Sequence, residues 1–141
     1  MHAYFIYTNL SELLKVDDID GYVVEQFSSG ELFGNFWLVN LESLKDLYNL
    51  LHLDSSEIHE VVQKETFIAY GILNNFKKSF SKISDEEINK LSVEWTEKSF
   101  PSETNPFDIC GYLLEARNYI QNSKKKESDL YIAIITETQS F

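Results

Sequence analysis

The sequence has little of the residues that cross-link, kink or interrupt a chain. Its 141 residues include one cysteine, Cys110, two prolines and five glycines. A single cysteine excludes an internal disulfide, and the N-terminal stretch does not resemble a secretion signal, so we expect a reducing, cytoplasmic location. Its uninterrupted apolar runs are far shorter than the ~20 residues of a membrane-spanning helix, so no transmembrane segment is predicted.

Apolar side chains, in contrast, are plentiful. Hydrophobic residues make up 43% of the chain and aromatic residues 14%. That content allows a chain of this length to bury a core that offsets the entropy of ordering it. No repeat, low-complexity tract or linker interrupts the sequence, so we expect one domain over residues 1–141.

Charge is strongly one-sided. The chain has 23 acidic and 12 basic residues, a net charge of −11. Residues 1–63 hold eleven acids and two bases, a net charge of −9, and residues 64–141 hold the remaining −2. Such a field repels nucleic acid and anionic membrane and speeds association with a basic protein. The alternative is that the charge only keeps the protein soluble.

Strand signals cluster at the two ends of the chain. Residues 3–8 and 130–136 are β-branched and aromatic on both parities, which is typical of strands that are covered on both faces. Runs at 22–27 and 31–39 flank Ser28, Ser29 and Gly30, and this pattern predicts a β-hairpin.

Helix signals fill the middle. A short helix is expected from Ser11, and Asn40 precedes leucines at helical spacing over residues 41–51. We predict helix from residue 55 to about residue 80, although residues 66–73 equally suit a buried strand. Ser84 and Glu87 form a capping box for a helix through Trp95, and an Asn-Pro pair at 105–106 predicts another helix start.

This order of elements predicts an α+β fold. We expect a mostly antiparallel sheet of about four strands, with the first and last strands central and helices packed on one face. The other face is then partly covered or free to meet a partner.

The chemical motifs are weak. His59-Glu60-Val61-Val62-Gln63 differs from the helical His-Glu-x-x-His zinc signature at its second ligand, so no metal site is predicted. Residues 17–21, Asp-Asp-Ile-Asp-Gly, lack the ligand spacing of a calcium loop and are expected to form an acidic surface turn. Cys110 is expected in the core, and Arg117 in a surface ion pair with an acid such as Asp108 or Glu115. No catalytic residues and no cofactor are predicted.

The leading functional hypothesis is therefore an acidic, immunity-type inhibitor that neutralises a basic partner, such as a nuclease-like toxin or a nucleic-acid-binding protein. The expected contact residues are acids of the N-terminal half and one aromatic: Asp17, Asp18, Asp20, Glu25, Glu31, Trp37, Glu42 and Asp46. Two alternatives stay open. One is a small cytosolic adaptor that acts as a homodimer, and the other is a ligand-binding domain or enzyme that uses carboxylates.

Overall fold

The computed structural model describes residues 2–28, 34–37, 40–71, 74–100, 104–123 and 125–136, without the side chains of residues 2, 27, 28 and 34–37. It shows an α+β fold, as predicted. Within these ranges the helices are α1 (Leu10–Leu14), α2 (Ile19–Ser28), α3 (Leu41–Leu50), α4 (Asn74–Phe80), α5 (Asp85–Ser99) and α6 (Pro106–Asn122). The strands are β1 (His2–Thr8), β2 (Gly34–Trp37), β3 (His59–Gln63), β4 (Phe67–Gly71) and β5 (Asp129–Ile135). None of the helices in these ranges is long and apolar enough to cross a membrane.

The strands form one antiparallel sheet in the order β2-β1-β5-β4-β3. β1 and β5 are neighbours, paired from Ala3 with Ile134 to Thr8 with Asp129. The prediction that the first and last strands are central is therefore confirmed, and β2 and β3 form the two edges of the described sheet.

One face of the sheet supports a large aromatic core. Phe5 and Tyr7 of β1 point into it, together with Ile132 of β5, and helices α3 to α6 close over them. Phe76 of α4 stacks on Phe5 with ring centroids 5.4 Å apart. Stacked rings of this kind bury large apolar areas, so this layer forms the main core of the described fold.

The opposite face is covered as well, by α1 and α2. Tyr4 and Ile6 alternate with the residues above and pack against Leu13 of α1 and against Ile19 and Val23 of α2. Helices therefore cover both faces of the sheet and not one face as predicted. The thicker helical layer, α3 to α6, lies on one of them. We call residues 10–28, as far as they are described, the α1–α2 layer.

The predicted strand at residues 22–27 is wrong, because these residues belong to α2. Ile19 and Val23 recur at helical spacing and are both buried, while Val24 and Glu25 are exposed. The β-branched pair Val23-Val24 favours a strand locally, but burial of one helical face overrides that propensity. Asp20 and Gly21, expected in a turn, also lie inside this helix. The other residues of the predicted hairpin loop, 29 and 30, and the first three residues of the strand predicted at 31–39 lie outside the described residues.

The helix predicted from residue 55 to about residue 80 is also wrong as far as residue 71 and is correct over α4. A single 3₁₀ turn (Ser55–Glu57) leads into β3, and β4 follows after a tight turn in which the Lys64 N–H donates to the Phe67 carbonyl at 2.9 Å. The strand alternative for residues 66–73 is the correct one over Phe67–Gly71. His59 and Glu60 consequently lie on an extended strand and not on the helix that a zinc signature requires.

The helix starts predicted at Asn40, Ser84 and Asn105 are confirmed. The Asn40 side chain accepts from the Ser43 N–H at 2.9 Å, and Ser84 and Glu87 form the expected reciprocal capping box. Asn105 caps α6, with Pro106 in its first turn.

Two side chains behave differently from expectation. Cys110 is half-buried at the margin of the aromatic core, and its thiol donates to Asn89 Oδ1 at 3.2 Å. Arg117 pairs with Asp85 and donates to the Ile83 carbonyl at 2.8 Å, so it joins α6 to the start of α5 and does not reach an acid of its own helix.

Candidate functional site

The α1–α2 layer consists of two helices, and a side chain caps the start of each. The Glu12 N–H donates to Asn9 Oδ1 at 2.9 Å and starts α1, which buries Leu13 and ends after five residues. The Gly21 N–H donates to Asp18 Oδ1 at 3.2 Å and starts α2. Both helix starts are thus satisfied by side chains of their own segment.

Polar contacts join this layer to the sheet at several points. Lys64 Nζ, beside β3, donates to the Leu14 carbonyl at 2.9 Å and lies 3.2 Å from Asp17 Oδ1. Thr66 Oγ1 donates to the Asp17 carbonyl at 2.8 Å. On the far side the Tyr4 hydroxyl donates to Asp20 Oδ1 at 2.5 Å. Burial and then the neighbouring Asp20 carboxylate raise the pKa of Tyr4, so this hydroxyl stays a donor.

An open cleft of about 390 Å³ lies between the two helices. Its lining residues are Glu12, Lys15, Val16, Asp17, Asp18, Gly21, Tyr22 and Glu25, and we call it the acidic cleft. Four acidic residues and one basic residue, Lys15, therefore line the cleft, and Asp17 is also paired with Lys64. Gly21 leaves room for the Asp18 side chain, since a Cβ at residue 21 would lie 2.8 Å from Asp18 Oδ2. The cleft has the charge and the exposure needed to hold cationic side chains.

The same layer exposes large apolar side chains. Leu10 is 41% exposed, Leu14 50% and Val24 60%. Only Val93 and Phe107 join them as exposed large hydrophobic residues in the described part of the chain. Apolar groups beside ionised groups on a two-helix surface are typical of protein interfaces, where a dry centre is surrounded by polar residues.

The expected contact residues fall into three groups. Asp17, Asp18 and Glu25 lie together in the acidic cleft, and Asp20 lies on the other flank of α2 against Tyr4. Two further contact residues, Glu42 and Asp46, lie on α3 and are not part of this site.

Both residues of that pair belong to the thick helical layer on the other face of the sheet. Glu42 is exposed in the first turn of α3, and half-buried Asp46 accepts from Ser99 Oγ at 2.9 Å. Glu31 and the side chain of Trp37 lie outside what the structure describes. The sequence prediction thus grouped acids that the fold separates onto two faces.

Sequence reasoning missed Glu12 and Tyr22 as cleft residues and Leu10 and Leu14 as exposed neighbours. A strand at residues 22–27, as the sequence predicts, does not place Tyr22 on the same side of the segment as Asp18 and Glu25. Reading Ile19 and Val23 as one buried helical face places all three on the same flank of the helix.

A second cavity, of about 500 Å³, lies between α3, the end of α4 and α5. Leu50, Leu51 and Leu91 form part of its lining, and Glu87, Lys90 and Glu94 are among its polar residues. The Glu87 carboxylate is held by the Ser84 N–H at 3.0 Å, and hydrogen bonds from Ser84 lower its pKa. This mixed lining favours neither sign of charge, and we therefore place the candidate site in the α1–α2 layer.

The arrangement can bind cationic groups. The carboxylates of the acidic cleft are exposed or near the surface, and within the described ranges no three His, Cys, Asp or Glu side chains are grouped to hold a metal ion. Comparison with protein-family models, with characterised proteins and with solved structures finds no match.

Proposed function

We propose that this protein is an acidic inhibitor of the immunity type, which binds a basic protein through its α1–α2 layer and blocks that protein's activity. The observation that carries the proposal is the composition of this layer. Residues 10–28 hold five acids and one base, a net charge of −4, and they also expose three large apolar side chains.

Charge and apolar exposure have separate effects on binding. The carboxylates of the acidic cleft steer a basic surface into contact and select against acidic proteins. The exposed leucines and Val24 supply the apolar area whose burial holds the complex together once it has formed. A nuclease-like toxin fits this requirement, because its substrate-binding surface must itself be basic to accept phosphates.

The test is affinity capture from lysate of the native host, with the wild-type protein and two variants of equal net charge. The cleft variant is Glu12→Gln/Asp18→Asn/Glu25→Gln, in which the Asp18→Asn change keeps a side-chain oxygen that can still cap α2. The control variant is Glu86→Gln/Glu94→Gln/Glu97→Gln, which removes three exposed acids from α5. The partner found with the wild type is then purified and its activity is measured against added protein.

We expect wild type and control to retain one basic protein, and the cleft variant to lose at least about tenfold of it, since each lost charge contact weakens association. Stoichiometric wild-type protein should then abolish the partner's activity. Equal retention by the two variants would show that overall charge, and not this cleft, binds the partner. Recovery of the protein alone would favour the homodimeric adaptor.

A further inference from the structure

The outer edge of β3 is open on the side of the α1–α2 layer. β3 ends the order of strands, and among the described residues no backbone–backbone hydrogen bond reaches its outward side. The Lys64 N–H donates inward to the Phe67 carbonyl, and inward and outward groups alternate along an antiparallel strand. The N–H and carbonyl of Gln63 therefore point outward, where an added strand would pair.

An apolar ridge runs beside this edge. Leu10 and Leu14 lie four residues apart on α1, on the flank opposite Glu12, which faces α2 across the acidic cleft. The hydrogen bond from Lys64 Nζ to the Leu14 carbonyl joins the end of α1 to the end of β3, whereas α2 contacts Tyr4 and Thr8 of β1. The flank of α1 that faces away from α2 therefore lies on the side of the outer edge. A strand added to β3 would thus place every second side chain against the two exposed leucines.

The charges around the edge select one kind of occupant. Glu60 and Glu65 are exposed beside it, and the nearby cation, Lys64, is already paired with Asp17. A second copy of this chain would bring the same acids into contact and be repelled. A basic segment would meet opposite charge.

We propose that the basic partner adds a short extended segment to β3 as a further strand, with apolar residues against Leu10 and Leu14 and lysine or arginine towards the acids. This inference rests on the proposed function and specifies how the same partner is held. A bulge between Glu60 and Val62 limits regular pairing to the second half of β3, so the added segment is short. Strand addition derives its affinity from main-chain hydrogen bonds and its selectivity from alternate side chains.

The probe is a synthetic peptide of about nine residues that alternates lysine and valine, the length of an ordinary strand. Its binding to the full-length, isotopically labelled protein is followed by NMR, together with the exchange rate of the Gln63 amide proton. The matched control peptide has the same sequence with alternate backbone nitrogens methylated, which keeps the charge and removes the donors. Leu14→Ser is compared with Val93→Ser, a similarly exposed site on α5.

We expect the Gln63 amide to exchange at least about tenfold more slowly with bound peptide, and methylation or Leu14→Ser to weaken binding by about tenfold, while Val93→Ser leaves it unchanged. Equal binding of the methylated peptide would overturn strand addition and leave the charge-driven partner intact. Absence of binding by both peptides would also overturn it, and the capture experiment judges the proposed function separately. A dimer that protects Gln63 without peptide would overturn it too, by assigning the edge to a second copy.

Discussion

The two faces of the sheet differ in what covers them. On one face four helices close over Phe5, Tyr48, Phe76 and Trp95, and Phe76 stacks with both Tyr48 and Phe80 at 5.4 and 5.0 Å. On the other face α1 and α2 bury mainly aliphatic side chains around Leu13 and Ile19. The first layer is thick and aromatic, and the second is thin.

The two layers also differ in what they present outward. The thin layer carries the acidic cleft and three of the exposed large apolar side chains, and side-chain hydrogen bonds join it to the sheet. Local openings of a protein are drawn from regions with few buried apolar contacts. The difference indicates that the aromatic face supplies most of the folding free energy, while the α1–α2 face is available for binding.

The largest expected effect is that of Trp95→Ala in the aromatic layer. Trp95 is fully buried on α5, and its indole N–H donates to the Ser43 carbonyl at 2.8 Å. Truncation leaves a cavity and removes a buried hydrogen bond, so the free energy of unfolding should fall by about 3–5 kcal/mol. Chemical denaturation followed by circular dichroism measures this loss.

Trp95→Phe is the matched control, since it keeps an aromatic ring and loses the indole hydrogen bond. It should cost only part of the loss seen for alanine. A loss below about 1 kcal/mol for Trp95→Ala would mean that the aromatic layer does not dominate stability.

The second effect is that of Leu13→Ala in the thin layer. Leu13 is fully buried between α1 and the sheet, and its truncation should cost about 2–3 kcal/mol. We expect much of that cost to appear as local opening, because α1 has only five residues and Leu13 is its buried one. Native-state hydrogen exchange by mass spectrometry should show faster exchange in residues 10–28 than in α5.

Leu10→Ala provides the comparison for this change, since it removes an exposed leucine from the same helix. Its effect on stability should stay within about 0.5 kcal/mol. Uniform acceleration over the whole chain in Leu13→Ala would show that the two faces unfold as one unit.

The third effect is a loss of stability at alkaline pH through Tyr7. Tyr7 is buried in the aromatic layer, where its hydroxyl donates to the Ile120 carbonyl at 2.7 Å, and burial, with a smaller contribution from Glu127, raises the pKa of Tyr7 to about 12. Below pH 10 the side chain is neutral in both states and its contribution to stability is complete. Above it the unfolded chain ionises first, so Tyr7 lowers the free energy of unfolding by up to about 1.4 kcal/mol per pH unit until pH 12.

Denaturation of wild type and Tyr7→Phe at several pH values gives the free energy of unfolding as a function of pH for each protein. The difference between the two slopes measures the contribution of Tyr7. The variant lacks one ionising hydroxyl, so its stability should fall less steeply above pH 10. Parallel slopes would mean that Tyr7 ionises equally in the folded and unfolded states.

The sequence predicts some elements well because their signals are local. Asn40, Ser84 and Asn105 each cap a helix within a few residues, and the apolar runs that became β1 and β5 exceed what one-sided burial needs. Fold class and the central strand pair follow from these signals alone.

The wrong secondary-structure predictions lie where the sequence fits both the helical and the strand periodicity. Residues 22–27 and 59–63 each contain a β-branched pair, and the first segment forms a helix and the second a strand. Only the tertiary partner separates the cases: Val23 packs beneath the sheet face with Ile19, whereas Val62 pairs with Ala69 across the β3–β4 turn. The wrong strand prediction for residues 22–27 also affects the predicted contact residues, because that prediction groups the acids by their position in the chain and not by helical face.

The smallest expected effect is that of Lys64→Met, which removes the cation between β3 and the α1–α2 layer. The pair with Asp17 is exposed on the Asp17 side, so its loss should cost only about 0.2–1 kcal/mol, and added salt should shrink the difference from wild type. A double-mutant cycle with Asp17→Asn, measured by denaturation, isolates the coupling between the two side chains. Coupling above about 2 kcal/mol would contradict the view that burial of Leu13 holds this face. Weak coupling would leave the Asp17 carboxylate free to exchange Lys64 for a cation of the partner, and Lys64→Met should then speed association with a basic protein.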